Sequence, residues 1–364
     1  MLKGRCKKTD PRVTSHAKIL VDYSTSVREG DMVLITVEDQ GFDLACEVYK
    51  EVSKRGASPL IVAFPSEATR GFYVETPEEY ITVFPKHYYE LVKASDVSIR
   101  ILSSSNTKAL SSVDPRRISK RALATKAISD VILKKRWCVT LHPTQAYAQE
   151  AEMSLKEYQD FVYRSVLVDW EKESIKMKRL KEVMDRTDEV RIVGEKTDLR
   201  MSIKGMKAVV DDAKNNLPGG EVFTAPIPES VEGEVYFDLP AVKYGKEVTD
   251  VRLRFKGGEI VEATANKNQD LLQKIIETDE GSRRLGELGI GTNKGIDRFT
   301  KHILFDEKMG NTFHLAIGRA YEECGGKNYS AIHWDFIKTM NYERGEMIFF
   351  DGERITELVP ELFK

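Results

Sequence analysis

The chain has 364 residues, 41% of them hydrophobic, which is enough to bury a substantial core and favours a two-domain organisation. It has 56 Lys and Arg against 58 Asp and Glu, a formal net charge of −2, so no global field draws it to nucleic acid or to an anionic membrane. No apolar segment of signal-peptide type follows the basic start MLKGRCKK, and no apolar run approaches the roughly 20 residues of a membrane helix; a cytoplasmic protein without membrane partners is expected.

From Met32 onward short β-rich runs alternate with helical ones: MVLITV, the amphipathic FDLACEVYKEVSKRG stopped by Gly56, SPLIVAF, and later VSIRIL and WCVTLH. Strand, helix, strand in that order implies parallel pairing through crossover helices. Residues 114–135 and 145–186 are charged and helix-prone, with apolar residues at three and four spacing in VYRSVLVDWEKESIKMKRLKEVMDR. No GxGxxG or Walker-type glycine loop accompanies these strands, so the α/β reading does not imply a nucleotide. The four cysteines, Cys6, Cys46, Cys138 and Cys324, stand far apart without a CxxC pair, which fits reduced thiols rather than a disulfide framework or a cysteine zinc site.

Beyond Asp188 the texture changes to short alternating strands: VRIVG, LRMSIKG, GEVYFDL, and VTDVRLRFKGGEIVEATA with its Gly257-Gly258 hairpin turn. The expected architecture is an α/β N-terminal domain, residues 1–187, with a mainly parallel sheet and flanking helices. A β-rich α+β catalytic domain, residues 188–364, follows it.

The second half also concentrates the residues that can carry chemistry. Glu287, Glu307, His314, His333 and Asp335 fall within about fifty residues, and two histidines with several carboxylates suit a hydrolytic centre of borderline divalent ions. In SAIHWDF, His333 and Asp335 are two apart, so an extended segment puts both on one face with Trp334 on the other; a buried histidine beside a surface aspartate is the alternative. HLAIGRAY reads as a helix ended by Gly325-Gly326, placing His314, Gly318 and Tyr321 on one face, with a core tyrosine as the alternative for Tyr321. Glu221 lies where the turn LPGG enters a strand, and Glu287 lies in the glycine-flanked GELGIG, where the backbone can approach a ligand closely. Glu307 in FDEK is a weaker signal still, with a salt bridge to Lys308 or a solvated charge as the alternative.

Taken together, GEKTDLRMSIKG, LPGGEVFTAP, GELGIGTN, FDEK, HLAIG and SAIHWDF, with the looser VREGDMVLI, VSKRGASPLIV and LHPTQAYAQ, resemble the aminopeptidase T and aminopeptidase S type of metal-dependent exopeptidases over nearly the whole chain. The resemblance implies metal-binding acids at Glu221, Glu287 and Glu307, metal-binding histidines at His314 and His333, a metal-binding aspartate at Asp335, and a tyrosine close to the metals at Tyr321. It also implies Glu287 as the bridge between two divalent ions (zinc, cobalt or manganese), peptide substrates with a free N-terminus, and a homodimer.

Four carboxylates and two histidines can hold two ions roughly 3.5–4 Å apart, and such a pair supplies hydroxide from water near neutral pH. In that scheme Tyr321 donates to the tetrahedral oxyanion, and Glu221 or Glu287 carries the proton from water to leaving amine. No GxSxG marks a serine nucleophile. Two other readings stand beside this one: a dimetal amidase or deacylase on non-peptide amides, and a non-catalytic metal- or peptide-binding protein.

Overall fold

The computed structural model describes residues 10–363, so Cys6 and the MLKGRCKK start lie outside the described residues. Two compact units emerge, one running to Val168 and rejoined by Ala213–Gly219, the other formed by Asp169–Asp212 and the chain from Gly220 onward.

In the first unit the strands Ser58–Ala63, Met32–Val37, Val97–Leu102, Arg136–Leu141 and Asn216–Leu217 lie side by side in that order, all parallel. The central strands read as nearly unbroken apolar runs because helices cover the sheet; Val33, Leu34, Ile35, Val97, Ile99 and Ile101 are all buried. The helix-prone stretch 114–135 is two helices, Pro115–Ala124 and Lys126–Ile132, meeting at Thr125. The stretch 145–186 is three: Gln145–Glu150, Leu155–Val166 and Trp170–Arg186. Local chemistry sets these breaks, because Ser154 and Glu157 close a capping box and Asp169 caps the next helix start. The change of texture in the sequence comes at residue 188, yet helix Trp170–Arg186 already belongs to the second unit, whose core receives its Met177, Leu180, Val183 and Met184.

The second unit holds two antiparallel sheets and a small hairpin. One sheet has seven strands and includes Val251–Lys256 and Glu259–Thr264, joined at Gly257 and Gly258 with φ of +57° and +78°, the left-handed pair that a tight hairpin demands. The other has five strands in the order His333–Thr339, Thr312–Gly318, Leu285–Gly291, Glu221–Thr224 and Val209–Asp211. One face of this sheet sends Leu288, Ile290, Phe313, Leu315, Ile317, Trp334 and Phe336 into the main core of the unit.

HLAIGRAY is therefore not a helix. Thr312–Gly318 is a central strand, buried along its whole length and hydrogen-bonded on both edges. Phe313, Leu315 and Ile317 recur with a period of two, and burying them in the sheet core outweighs the local helical spacing. Cys46, Cys138 and Cys324 are free thiols. Among the described residues no helix is long and apolar enough to cross a membrane.

Candidate metal centre

The face of the five-stranded sheet turned away from the core gathers the acids and histidines. Cross-strand partners share a face, and here Glu287, Ala316 and Asp335 form one row while Phe223, Gly289, His314 and Ile337 form the next. Glu221 faces Gly291 and His333 faces Gly318 at the ends of the same surface. Gly289 stands between the larger residues, and the His314 ring lies over it. The ladder shifts register between Leu285 and Glu287, an irregularity of the kind that re-aims a side chain beside a functional site.

The side chains converge into two groups that share one residue. Glu221, Glu287 and His314 make the first, and Glu287, His333 and Asp335 the second, the ligand atoms in each lying within 4.8 Å of one another. His314 Nε2 stands 3.4 Å from Glu221 Oε2 and 3.3 Å from Glu287 Oε1. His333 Nε2 stands 3.1 Å from Glu287 Oε2 and 3.4 Å from Asp335 Oδ1. The two oxygens of Glu287 thus face different histidines.

These separations fit metal ions. Protein nitrogen and oxygen bind zinc at about 2.0–2.2 Å, so tetrahedral ligands lie about 3.3–3.6 Å from each other. The donors are also prepared for the role. His333 Nδ1 lies 2.7 Å from the Arg319 carbonyl, which takes the ring proton and leaves Nε2 to a metal, and Lys243 Nζ donates to the His333 carbonyl at 2.7 Å. Glu221 Oε2 is buried without a hydrogen-bond partner, an orphan that an ion would satisfy.

Electrostatics binds the cluster tightly. Burial works against a charge on His314, but Glu287 and Glu221 outweigh it and hold the imidazole up to about 9. At His333 burial is again opposed and overcome, by Asp335 and Glu287, which push it up to about 11. Glu287 stays below the ordinary carboxylate range: burial raises it, and the contacts with His314 and His333 more than offset that.

Glu307 stands outside both groups. It follows the short helix Ile303–Asp306, and its Oε1 is held by Lys308 Nζ, the salt bridge that FDEK offered as its second reading. Tyr321 does not share a helix with His314, since it follows the strand and precedes the single turn Glu322–Cys324. The chain reversal after Gly318 nonetheless brings its ring 5.0 Å from that of His333 and 5.5 Å from that of Phe223. Burial, then the charges of Glu287 and Asp335, raise its phenol further above the ordinary tyrosine range, so it remains a donor. Sequence reading passed over Lys308, except as a partner for Glu307, and Asp211; both touch the cluster, and neither stands in a motif of its own.

The model of the thermophilic metalloprotease family, M29, matches residues 9–353. The chain belongs to that family. Among characterised relatives it is 27% identical to aminopeptidase PepS of Streptococcus thermophilus, over 93% of this chain and 95% of that one. It is 26% identical to aminopeptidase T of Thermus aquaticus, over 93% and 95%. The solved structure of AmpT from Thermus thermophilus superposes with a TM-score of 0.81 over 95% of this chain and 99% of that one, at 23% identity. A 2,5-dihydroxypyridine dioxygenase from Pseudomonas putida shares the fold at a TM-score of 0.62 and 13% identity, over 94% of each chain; fold alone therefore does not select the chemistry. Family membership makes this M29 protein a metallo-aminopeptidase, a hydrolase of peptides, and two divalent ions are typical of its family.

Proposed function

We propose that this enzyme removes the N-terminal residue of peptides bearing a free α-amine, at a dinuclear site in which Glu221, Glu287 and His314 hold one ion and Glu287, His333 and Asp335 the other. The observation that carries the reading is Glu287, whose two oxygens face the two histidines at 3.3 and 3.1 Å, as a bridging carboxylate must. Zinc, cobalt and manganese all suit a mixed carboxylate and imidazole set.

Bound there, two ions would lower the pKa of a water and polarise the scissile carbonyl. The protein supplies the rest. Three protein donors per group leave positions open for substrate, and a free α-amine is the natural occupant of one. Tyr321, a phenol kept protonated beside His333, donates to the oxyanion as it forms. Glu221 and Glu287 are the carboxylates placed to carry the proton to the leaving amine. Glu307 serves the site through Lys308 and as a further acid near the ions. A homodimer in the cytoplasm completes the reading, supported by resemblance and by composition.

Chelation is expected to abolish hydrolysis of an aminoacyl anilide, and zinc, cobalt or manganese to restore it as binding approaches two ions per chain. Acetylating the α-amine should suppress turnover. Equal rates on blocked and free peptides would favour an amidase over an exopeptidase, and full activity after thorough metal removal would end the dinuclear reading.

A further inference from the structure

Lys308 is the most deeply buried charged side chain around the metal centre, with 0% of its side chain exposed. Burying an ammonium is costly unless it is paired, and Lys308 is paired three times over. Its Nζ lies 3.1 Å from Glu221 Oε1 and 3.4 Å from Asp211 Oδ2, and it contacts Glu307 Oε1. Its backbone is pinned as well: Asn293 N donates to the Lys308 carbonyl at 3.0 Å, and Lys308 N donates to the Phe305 carbonyl at 3.0 Å. Asp211 and Glu221 are cross-strand partners, so the ammonium clamps two adjacent strands at the point where the Glu221 donor leaves the sheet. One oxygen of Glu221 is thus turned to Lys308, and the other, Oε2, to His314.

Charge accounts for the arrangement. Asp211, Glu221, Glu287, Glu307 and Asp335 bring five negative charges together. Two divalent ions supply four positive charges, and Lys308 supplies the fifth. The loaded site, with neutral imidazoles, is then neutral; the same site without Lys308 would keep an uncompensated buried carboxylate, and the same site without ions would leave Asp211, Glu221 and Glu307 to be held by the ammonium on the side away from the two histidines.

We propose that Lys308 is a built-in counter-cation of the metal centre, a positioning residue that holds Asp211, Glu221 and Glu307 together when ions are absent and, by standing beside the ions when they are present, keeps their binding weaker than the acids alone would make it. Its contacts are with the acids. The inference rests on the two-ion reading, and the experiment separates the two.

The test is a zinc titration of the metal-free full-length chain in chelator-buffered solution, with thermal melting measured before and after loading, on wild type, Lys308→Met, Asp211→Asn and the double variant. Whatever binds only the native state raises its stability, so the gain on loading reports affinity. For Lys308→Met the metal-free melting temperature should fall more than the loaded one, and zinc should bind on the order of tenfold or more tightly, as expected when a like charge is removed near a divalent ion. The double variant, which removes one charge of each sign, should return both quantities toward wild type, and it keeps the test open if Lys308→Met does not fold without metal. Equal falls in the metal-free and loaded forms would reduce Lys308 to a structural residue and overturn the proposal, as would weaker zinc binding or failure of the double variant to recover. A wild type that gains no stability from zinc would instead overturn the two-ion reading beneath it.

Discussion

Gly289 lies directly across the strand pair from His314, and a Cβ added to Gly289 would overlap the imidazole at Nε2 and Cε1. The glycine is therefore the floor on which the His314 ring, a metal ligand in the proposed site, lies, and its missing side chain makes the space for that ring. Gly289→Ala is expected to displace His314 from the Glu221 and Glu287 oxygens and to remove one ion of two. The backbone at Gly289 is not in the left-handed region, so alanine should cost little through conformation itself. Circular dichroism should stay near wild type while elemental analysis falls toward one ion per chain and turnover drops with it. A variant with full metal content and wild-type turnover would show that His314 tolerates the methyl group and is not held where its ring now stands.

Tyr321 reaches the site by a route other than the one its spacing suggested, and its role is testable on its own. The residue is 38% exposed, so part of the ring is open to substrate while the rest packs against His333. If the phenol donates to the oxyanion, Tyr321→Phe removes an interaction that strengthens only in the transition state. Turnover should fall on the order of 10²–10³-fold with a smaller change in KM, and metal content should be unchanged. An active phenylalanine variant would assign the ring to packing alone, and a parallel loss of metal would make the tyrosine a ligand.

What could be read in advance divides along the range of the interactions. The parallel sheet was legible because MVLITV and VSIRIL carry their burial in their own composition, and the Gly257-Gly258 turn because two left-handed residues have few alternatives to glycine. His333 and Asp335 were legible as a pair since a period of two is enforced by any strand, and both do lie on one face with Trp334 in the core behind them. HLAIGRAY failed because the helix reading rested on His314, Gly318 and Tyr321 at four and three spacing, whereas the apolar Phe313, Leu315 and Ile317 recur at two, the period that the neighbouring strands enforce. Lys308 and Asp211 were invisible for a similar reason. Their meaning lies in a contact between residues distant along the chain, and a lone lysine after a glutamate has the appearance of any solvated pair.

The pocket beside His333 and Asp335, about 220 Å³ in volume, gives an expected substrate preference. Val242, Phe299, Ile303 and Ile337 line it with apolar surface, beside Lys243, Lys301, Asp306 and Asp335; Lys301 is paired with Glu247 at 3.0 Å, and Lys243 donates to the His333 carbonyl at 2.7 Å. Its apolar walls suit the side chain of leucine, methionine or phenylalanine better than an ammonium or guanidinium, which they would strip of water. Leucyl and phenylalanyl anilides should therefore be cleaved faster than lysyl anilide, measured as kcat/KM. Val242→Phe should narrow the pocket and cost the leucyl substrate roughly 10–200-fold, the range for a misfit of a methylene or so, with alanyl anilide nearly unaffected. An unchanged order of substrates in that variant would place the first side chain elsewhere.

His16 sets an expected acid limit on the first unit. Thr140 Oγ1 donates to the Leu217 carbonyl at 2.7 Å, so it can only accept from His16 Nε2, which stands 2.7 Å away. Nε2 therefore carries the proton in this hydrogen bond, and Nδ1 is buried without a hydrogen-bond partner that would receive a second one. Burial, helped by the nearby His142, drives His16 down to about 3 from the ordinary histidine value of about 6.5. The folded-state value is the depressed one, so between these two values the unfolded chain binds more protons than the native chain. Stability therefore rises with pH across that window and is lost as pH falls through it. Lowering the pH from about 6.5 to about 5 should cost roughly 2 kcal/mol from this residue, at about 1.4 kcal/mol per pH unit. His16→Gln keeps a donor for Thr140 but cannot take up a proton. The urea midpoint of the variant should accordingly fall less between about pH 7 and about pH 5 than that of wild type, while the carboxylates common to both proteins contribute equally to each. Identical pH slopes in the two proteins would mean that His16 is protonated in the native state as readily as in the unfolded chain, and that its buried Nδ1 has found an acceptor.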